Sequence, residues 1–190
     1  AILIALNEQK VDPITWASRK VACRKRIIDN FSIQTMVERY HRVWTEMKVL
    51  LLSRHDRLSA SSRQRFLQYL PLMEQQNIHT DVSPLFSDEY LLALYSGKSC
   101  WRLIFSGYWT RIKTLFKVRS YDLIWIQMEI FPYIPAFVER LLRFIGVVYI
   151  VDYDDAIYHN YDKNPHWLIR ALLGKKIDVV MRSSSLVIVG

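Results

Sequence analysis

Lys48-Val49-Leu50-Leu51-Leu52, running into the polar stretch Ser53-Arg54-His55-Asp56-Arg57, decides how the rest of the chain reads. Apolar residues in unbroken succession describe a strand covered on both faces, not the alternating strand of a half-solvated hairpin. The polar loop continues to Ser62, a helical segment is expected from about Ser62 to Gln76, and Ile78 to Ser83 reads as a second strand. Further on the same grammar repeats. Apolar strands at Leu123–Ile126, Val147–Val151 and Leu186–Val189 alternate with helical stretches at about 87–96, 101–118, 133–145 and 166–183. Such alternation predicts an α/β fold over 48–190: a Rossmann-like parallel sheet with helices on both faces.

Upstream of Lys48 the pattern is helical. Asp12-Pro13 offers an N-cap followed by proline at the first helical position. Trp16, Val21, Ile27 and Ile28 recur at helical spacing as far as Asp29-Asn30. A second helix is expected from Ser32, with Ile33, Met36, Val37, Tyr40, Val43 and Trp44 on one face and Glu38, Arg39 and Arg42 opposite. Residues 1–47 are therefore expected to form an α-helical segment of two helices in front of the α/β domain. Tyr40, Val43 and Trp44 are expected to be partly buried against that domain, since a lone amphipathic helix is marginal in water.

Composition fits this picture. Of 190 residues, 51% are apolar and 23% charged, which excludes a disordered or collagen-like chain. The net charge of +8 is spread along the chain, with basic residues exceeding acidic ones by eight to five in 1–47 and by eighteen to thirteen in 48–190. That spread suits nucleic acid, an anionic membrane surface, a phosphorylated ligand or a plain solvated surface. Cys23 and Cys100 match no metal or redox spacing and read as buried thiols of a reducing cytoplasm. The best candidate for a membrane span, Leu123 to Val138, is interrupted by Glu129 and by two prolines. Ala1-Ile2-Leu3 lacks a basic leader, and a chain opening on Ala1 is expected to be a fragment or a processed product.

Candidate chemistry lies where the strands end. Ligands of open parallel sheets bind outside the carboxyl ends of the strands. Ser61, Ser62, Arg63 and Arg65 open the first helix and could hold a phosphate or sugar hydroxyls, although no GxGxxG is present. Asp152-Tyr153-Asp154-Asp155 follows the apolar run Val147–Val151, and three carboxylates in four residues should repel one another and seek a cationic or hydroxyl-rich partner. His159 follows on the same loop. Glu129, after Leu123–Ile126, is expected on the same rim. The segment Trp101–Arg119 is basic and aromatic. Phe105, Tyr108, Trp109, Ile112 and Phe116 share a helical face surrounded by Arg102, Arg111, Lys113 and Lys117, as in an interfacial amphipathic helix or a core helix with snorkelling cations. No Ser/His/Asp set, HExxH, Walker loop or zinc spacing appears.

These residues resemble a known family. Lys48-Val-Leu-Leu-Leu-Ser-Arg, Ala60-Ser-Ser-Arg-Gln-Arg-Phe, Tyr121-Asp-Leu-Ile-Trp-Ile-Gln-Met-Glu and Tyr149-Ile-Val-Asp-Tyr-Asp-Asp-Ala-Ile resemble the N-terminal, acceptor-binding domain of GT-B-fold glycosyltransferases of group 1 (family 4). Leu186-Val-Ile-Val-Gly190 is similar to the last strand of such a domain. Arg24-Lys-Arg-Ile-Ile-Asp-Asn-Phe-Ser-Ile, leading to Met36-Val-Glu-Arg-Tyr, resembles the C-terminal tail of another such enzyme, so the chain is expected to join one transferase's tail to the next one's beginning.

The resemblance implies half of a GT-B fold: a nucleotide-sugar donor as substrate, a glycan or lipid-linked acceptor, no other cofactor, no metal, and polysaccharide biosynthesis as the setting. It implies Asp154 and Asp155 as the residues of catalytic importance through acceptor or sugar contacts, with Asp152 orienting their loop. Ser61, Ser62 and Arg63 would line the cleft, with Glu129 and His159 as further binding residues. Many relatives carry a histidine where this chain has its acidic run, so no catalytic histidine is carried over. The donor-binding domain is expected to be absent and the chain inactive alone. A cytoplasmic location is expected, and the basic, aromatic pattern of 101–119, apart from the resemblance, gives peripheral membrane contact as a further expectation. The alternatives are a non-catalytic remnant, or a basic module using Arg19, Lys20, Arg24, Lys25 and Arg26 on nucleic acid, although no nucleic-acid partner is expected.

Overall fold

A computed structural model describes residues 12–31 and 46–190. The chain divides between Thr45 and Glu46 into two units. In the first, α1 runs from Pro13 to Phe31. The Asp12 carboxylate accepts the Thr15 N–H (3.1 Å) and proline takes the first helical place, as the Asp-Pro pair leads one to expect. Hydrogen bonding from the Thr15 side chain, and then from its N–H, holds the Asp12 carboxyl below its ordinary pKa. The helix expected from Ser32, and the burial expected of Tyr40, Val43 and Trp44, lie outside the described residues.

The second unit is the α/β domain. Its described elements run β1 (Met47–Leu52), α2 (Ala60–Arg65), a 3-10 turn (Leu67–Tyr69), α3 (Leu70–Gln75), β2 (Ile78–Val82), α4 (Asp88–Tyr95) and α5 (Trp101–Leu115). A second 3-10 turn (Val118–Ser120) leads to β3 (Leu123–Gln127), α6 (Phe137–Phe144) and β4 (Tyr149–Tyr153). The short α7 (His159–Asp162), α8 (Trp167–Leu173), α9 (Lys176–Ser183) and β5 (Leu186–Val189) complete it. The five strands form one sheet in the order β2-β1-β3-β4-β5, and every pairing is parallel.

This order has a physical consequence. The chain leaves β1 for β2 on one side, then crosses back over β1 to β3 and proceeds outward through β4 to β5. With right-handed crossovers, the helices between β1 and β2 fall on one face and all later helices on the other. Packing agrees. Leu50, Leu52, Ile124, Ile126, Tyr149 and Val151 join the main core with residues of α6 and α9. Phe66, fully buried after α2, sets its ring edge-on to Trp125 at 5.0 Å on the opposite face. The loops diverge between β1 and β3, and that switch point is where a sheet of this order forms a ligand crevice.

Four boundaries differ from expectation, each for a local reason. The single helix expected over 62–76 is broken, because Phe66 leaves helical geometry (φ −130°, ψ −62°) to reach the sheet and Pro71 opens α3. The helix expected from 133 starts at Phe137, behind Pro135 and the left-handed Tyr133 (φ 57°). The stretch 166–183 is two helices meeting at Gly174-Lys175, and the break brings Lys176 into the interior. The strand expected at Val147–Val151 runs from Tyr149 to Tyr153 and so includes Asp152. Neither cysteine is buried: Cys23 is exposed, Cys100 partly so, and both are free.

Candidate functional site at the carboxyl rim

β1 ends at Leu52, and Ser53, Arg54 and His55 pass over the rim of the sheet beside Gln127, the last residue of β3. The Arg54 N–H donates to Gln127 Oε1 (2.9 Å), a link across the switch point itself. Gln127 Nε2 donates to Ser61 Oγ (3.0 Å), and Ser61 donates in turn to Asp154 Oδ2. The other oxygen of Asp154 is buried without a partner. Two loops singled out separately in the sequence, 59–63 and 152–155, are thus brought together through Gln127. One turn along α2 from Ser61, Arg65 donates from Nε to Asp152 Oδ1 (2.8 Å) and forms an ion pair with it. Serine and arginine at i and i+4 share a helix face. Asp152 and Asp154, two apart at the end of β4, share a sheet face.

The helix-opening serines do not cap their helix. Ser59 holds the N-cap position without a side-chain bond, while Ser62 is fully buried and donates to the His55 carbonyl (2.8 Å). Ser62 therefore supports the β1 loop from beneath and does not line a cleft. Arg63 also serves the loop: one of its terminal nitrogens donates to the carbonyls of Arg57 and Leu58, both at 2.8 Å. Its guanidinium stands with Arg57, Leu67 and Pro71 around a neighbouring groove of about 440 Å³.

Three carboxylates crowded in sequence are not equally crowded in space. Asp152 is 4% exposed and fixed to Arg65. Burial outweighs that partner and raises its pKa above the ordinary carboxyl value, with the neighbouring Asp154 charge adding to the rise. Asp155 is exposed and stands apart from the network. His159 opens α7, half-exposed, with its Nδ1 3.0 Å from Asp162, so it pairs on its own helix rather than with Asp154.

Glu129 is the largest departure. It stands at the rim in sequence, but Met128 takes a left-handed conformation (φ 66°) and turns the chain under the opposite face. There Glu129 is 5% exposed, forms an ion pair with buried Lys176, and accepts from the Tyr161 hydroxyl at 2.7 and 2.8 Å. Lys176 also donates to the Phe131 carbonyl (2.5 Å). Burial and the Glu129 charge push the Tyr161 hydroxyl well above the ordinary tyrosine pKa. This is a satisfied structural network, separate from the hydrogen-bonded chain of Gln127, Ser61 and Asp154.

His55 is the rim residue that the spacing does not mark. It leans on Phe86 and Tyr90, ring centroids 5.6 and 6.2 Å away, and its Nδ1 is buried without a partner. Burial first, then the Arg54 charge, lowers its pKa from 6.5 to about 4. Between those values the unfolded chain binds a proton that the folded one does not, so stability is lost as pH falls through the window. The expected contribution is on the order of 2–3 kcal/mol by pH 4. Urea midpoints at pH 7 and pH 4.5 test this: His55→Phe should flatten the difference, and an unchanged pH slope in that variant would assign it to other groups.

Among the described residues, no group of three His, Cys, Asp or Glu side chains is placed to hold a metal ion. No described helix is long and apolar enough to cross a membrane. A scan against models of protein families finds no match, and a search of curated proteins finds none.

Proposed function

We propose that residues 48–190 form the acceptor-side domain of a GT-B-type glycosyltransferase, whose partner domain binds a nucleotide sugar. The observation carrying this reading is the chain Arg54–Gln127–Ser61–Asp154 across the switch point, which ends on a carboxylate oxygen without a partner. A carboxylate held by a serine hydroxyl, which an amide orients in turn, at the carboxyl end of a parallel sheet, suits hydrogen bonding to sugar hydroxyls. The Arg65–Asp152 pair supports the loop that carries it. Asp154 would accept from an acceptor hydroxyl and Asp155 would contact the sugar from the solvent side. Ser61 orients Asp154, while Ser62 and Arg63 act only by shaping the loop. The likeness of 48–190 to such domains agrees with this reading, and so does the Rossmann-like sheet.

Transfer between two substrates needs both held in register, and such positioning supplies much of the barrier reduction. The 190 residues hold a single α/β unit among those described, so the chain alone is expected to show no sugar transfer and only feeble affinity for nucleotide sugars. Two measurements test the reading. NMR titration of the chain with soluble glycans should shift the amides of Ser61, Gln127 and Asp154. A chimera carrying a donor-binding domain after Gly190 should transfer label from a nucleotide sugar to one of those glycans. Shifts confined to other surfaces, or robust turnover by the unextended chain, would overturn the assignment.

A further inference from the structure

Helix α5 is held to the domain by Gly107, Tyr108 and Arg111 and turns its other aromatic residues outward. At Gly107 a Cβ would sit 2.1 Å from the Leu85 carbonyl oxygen, so only glycine allows the helix to lie this close to that backbone. Tyr108 donates its hydroxyl to the Pro132 carbonyl (2.7 Å). Arg111, 1% exposed, donates to the carbonyls of Ser53 (2.6 Å) and Ser83 (2.9 Å). The inner face is thereby fixed. It corrects the sequence expectation at two residues, for Arg111 is no surface cation and Tyr108 is no part of the outer face.

What remains outside is Trp101, Phe105, Trp109, Ile112 and Phe116, spaced four, four, three and four apart along one line of the helix. All are exposed, Trp101 by 64%, Phe105 by 69% and Phe116 by 86%. Arg102 and Lys113 stand on the shoulder of this stripe, 5.3 and 5.7 Å from the rings of Trp101 and Trp109. From Leu91 to Tyr121 the chain holds no Asp or Glu, whereas Lys98, Arg102, Lys113, Lys117 and Arg119 are all exposed.

We propose that this stripe docks the domain on the anionic surface of a lipid bilayer, with α5 lying in the plane of the interface. The charge pattern selects that occupant. Aromatic rings suit the boundary between headgroups and acyl chains, and flanking cations suit anionic headgroups above it. A 15-residue helix, about 22 Å long, is too short to span the hydrocarbon but long enough to lie along it. The assignment does not rest on sugar transfer.

The test is flotation of the intact chain with phosphatidylcholine vesicles, either pure or carrying about one-third phosphatidylglycerol. Binding is expected to the anionic vesicles and at least tenfold weaker to the neutral ones. Trp101→Ser/Trp109→Ser/Phe116→Ser should lower anionic-vesicle binding at least tenfold. Lys113→Glu/Lys117→Glu should do the same while leaving the thermal midpoint in place, because all five side chains are exposed. Equal binding to both vesicles overturns the proposal, and so does unchanged binding in either variant. So does a concentration-dependent dimer, seen in analytical ultracentrifugation, that the aromatic variant dissolves, since the stripe would then cover a second copy of the chain.

Discussion

Lys176→Met is expected to destabilise the α/β domain by about 3–5 kcal/mol and to lower its thermal midpoint by roughly 10 °C. Lys176 is 4% exposed and Glu129 5%, so methionine would leave an ionised carboxylate in the interior, held by the Tyr161 hydroxyl and facing the buried Glu139 with no cation between them. Removing one member of a buried ion pair costs more than the pair contributes, because the surviving charge keeps its desolvation penalty. The double variant Glu129→Gln/Lys176→Met should therefore be more stable than the single one. A glutamine in place of Glu129 would still accept from Tyr161, and the lysine's bond to the Phe131 carbonyl, its place over the Tyr161 ring and its charge beside Glu139 would be lost. Thermal and urea unfolding of the two variants, against the parent, check both points. A single variant within about 1 kcal/mol of the parent would mean that the pair is hydrated, and a double variant worse than the single would mean that the lysine acts chiefly through the carbonyl.

Asp154→Asn is expected to leave folding nearly untouched and to lower sugar transfer by about 100-fold or more in the two-domain chimera. An asparagine still accepts from Ser61, so the loop keeps its anchor. What is lost is the negative charge beside the unpartnered oxygen, and with it the ability to polarise a sugar hydroxyl. Removing that charge also relieves repulsion with Asp152, which should hold the midpoint or raise it slightly. Asp155→Asn is the comparison: exposed and outside the hydrogen-bonded network, it should change transfer less. Midpoint and transfer rate are measured on the same preparations. A lowered midpoint with normal transfer per folded molecule would make Asp154 part of the scaffold.

The strands are legible where their environment is uniform. Val49–Leu52 and Leu123–Ile126 are apolar throughout, because the middle of a parallel sheet is covered on both faces, and Leu186–Val189 is as apolar although it is the edge strand and its end residues are exposed. β4 reads two residues early, because Asp152 looks like the start of a loop. It belongs to the strand only because Arg65, 87 residues earlier, neutralises it, and no local pattern announces a partner at that distance. The meeting of Ser61 and Asp154, 93 residues apart, is legible in outline, since both follow strands and strand ends share a rim. Glu129 follows a strand too, yet the left-handed Met128 sends it to the other face. Positive φ at a non-glycine residue leaves no mark in composition. Arg111 misleads in a related way: helical spacing identifies faces, but the close contact at Gly107 decides which face is inward. His55 carries no signal beyond its place in the β1 loop, and its environment is supplied by Phe86 and Tyr90 from the next crossover.

The place of β1 in the sheet sets a timetable for the newborn chain. β1 is the first of the five strands to be made, yet it lies second in the sheet, with β2 on one side and β3 on the other. β2 follows closely, but a two-stranded pair is marginal in water. β3 begins about 70 residues after β1 ends, and at translation rates of roughly 5–20 residues per second that interval is about 4–14 s. Throughout it, Val49-Leu50-Leu51-Leu52 stands at the ribosome as an uncovered apolar segment, attractive to holdase chaperones and to neighbouring nascent chains. The β2–β3 crossover that is being synthesised in those seconds contains α5, whose own outward rings add to the exposure. Slower translation between the codons for Leu52 and Gln127 would lengthen that exposure in proportion.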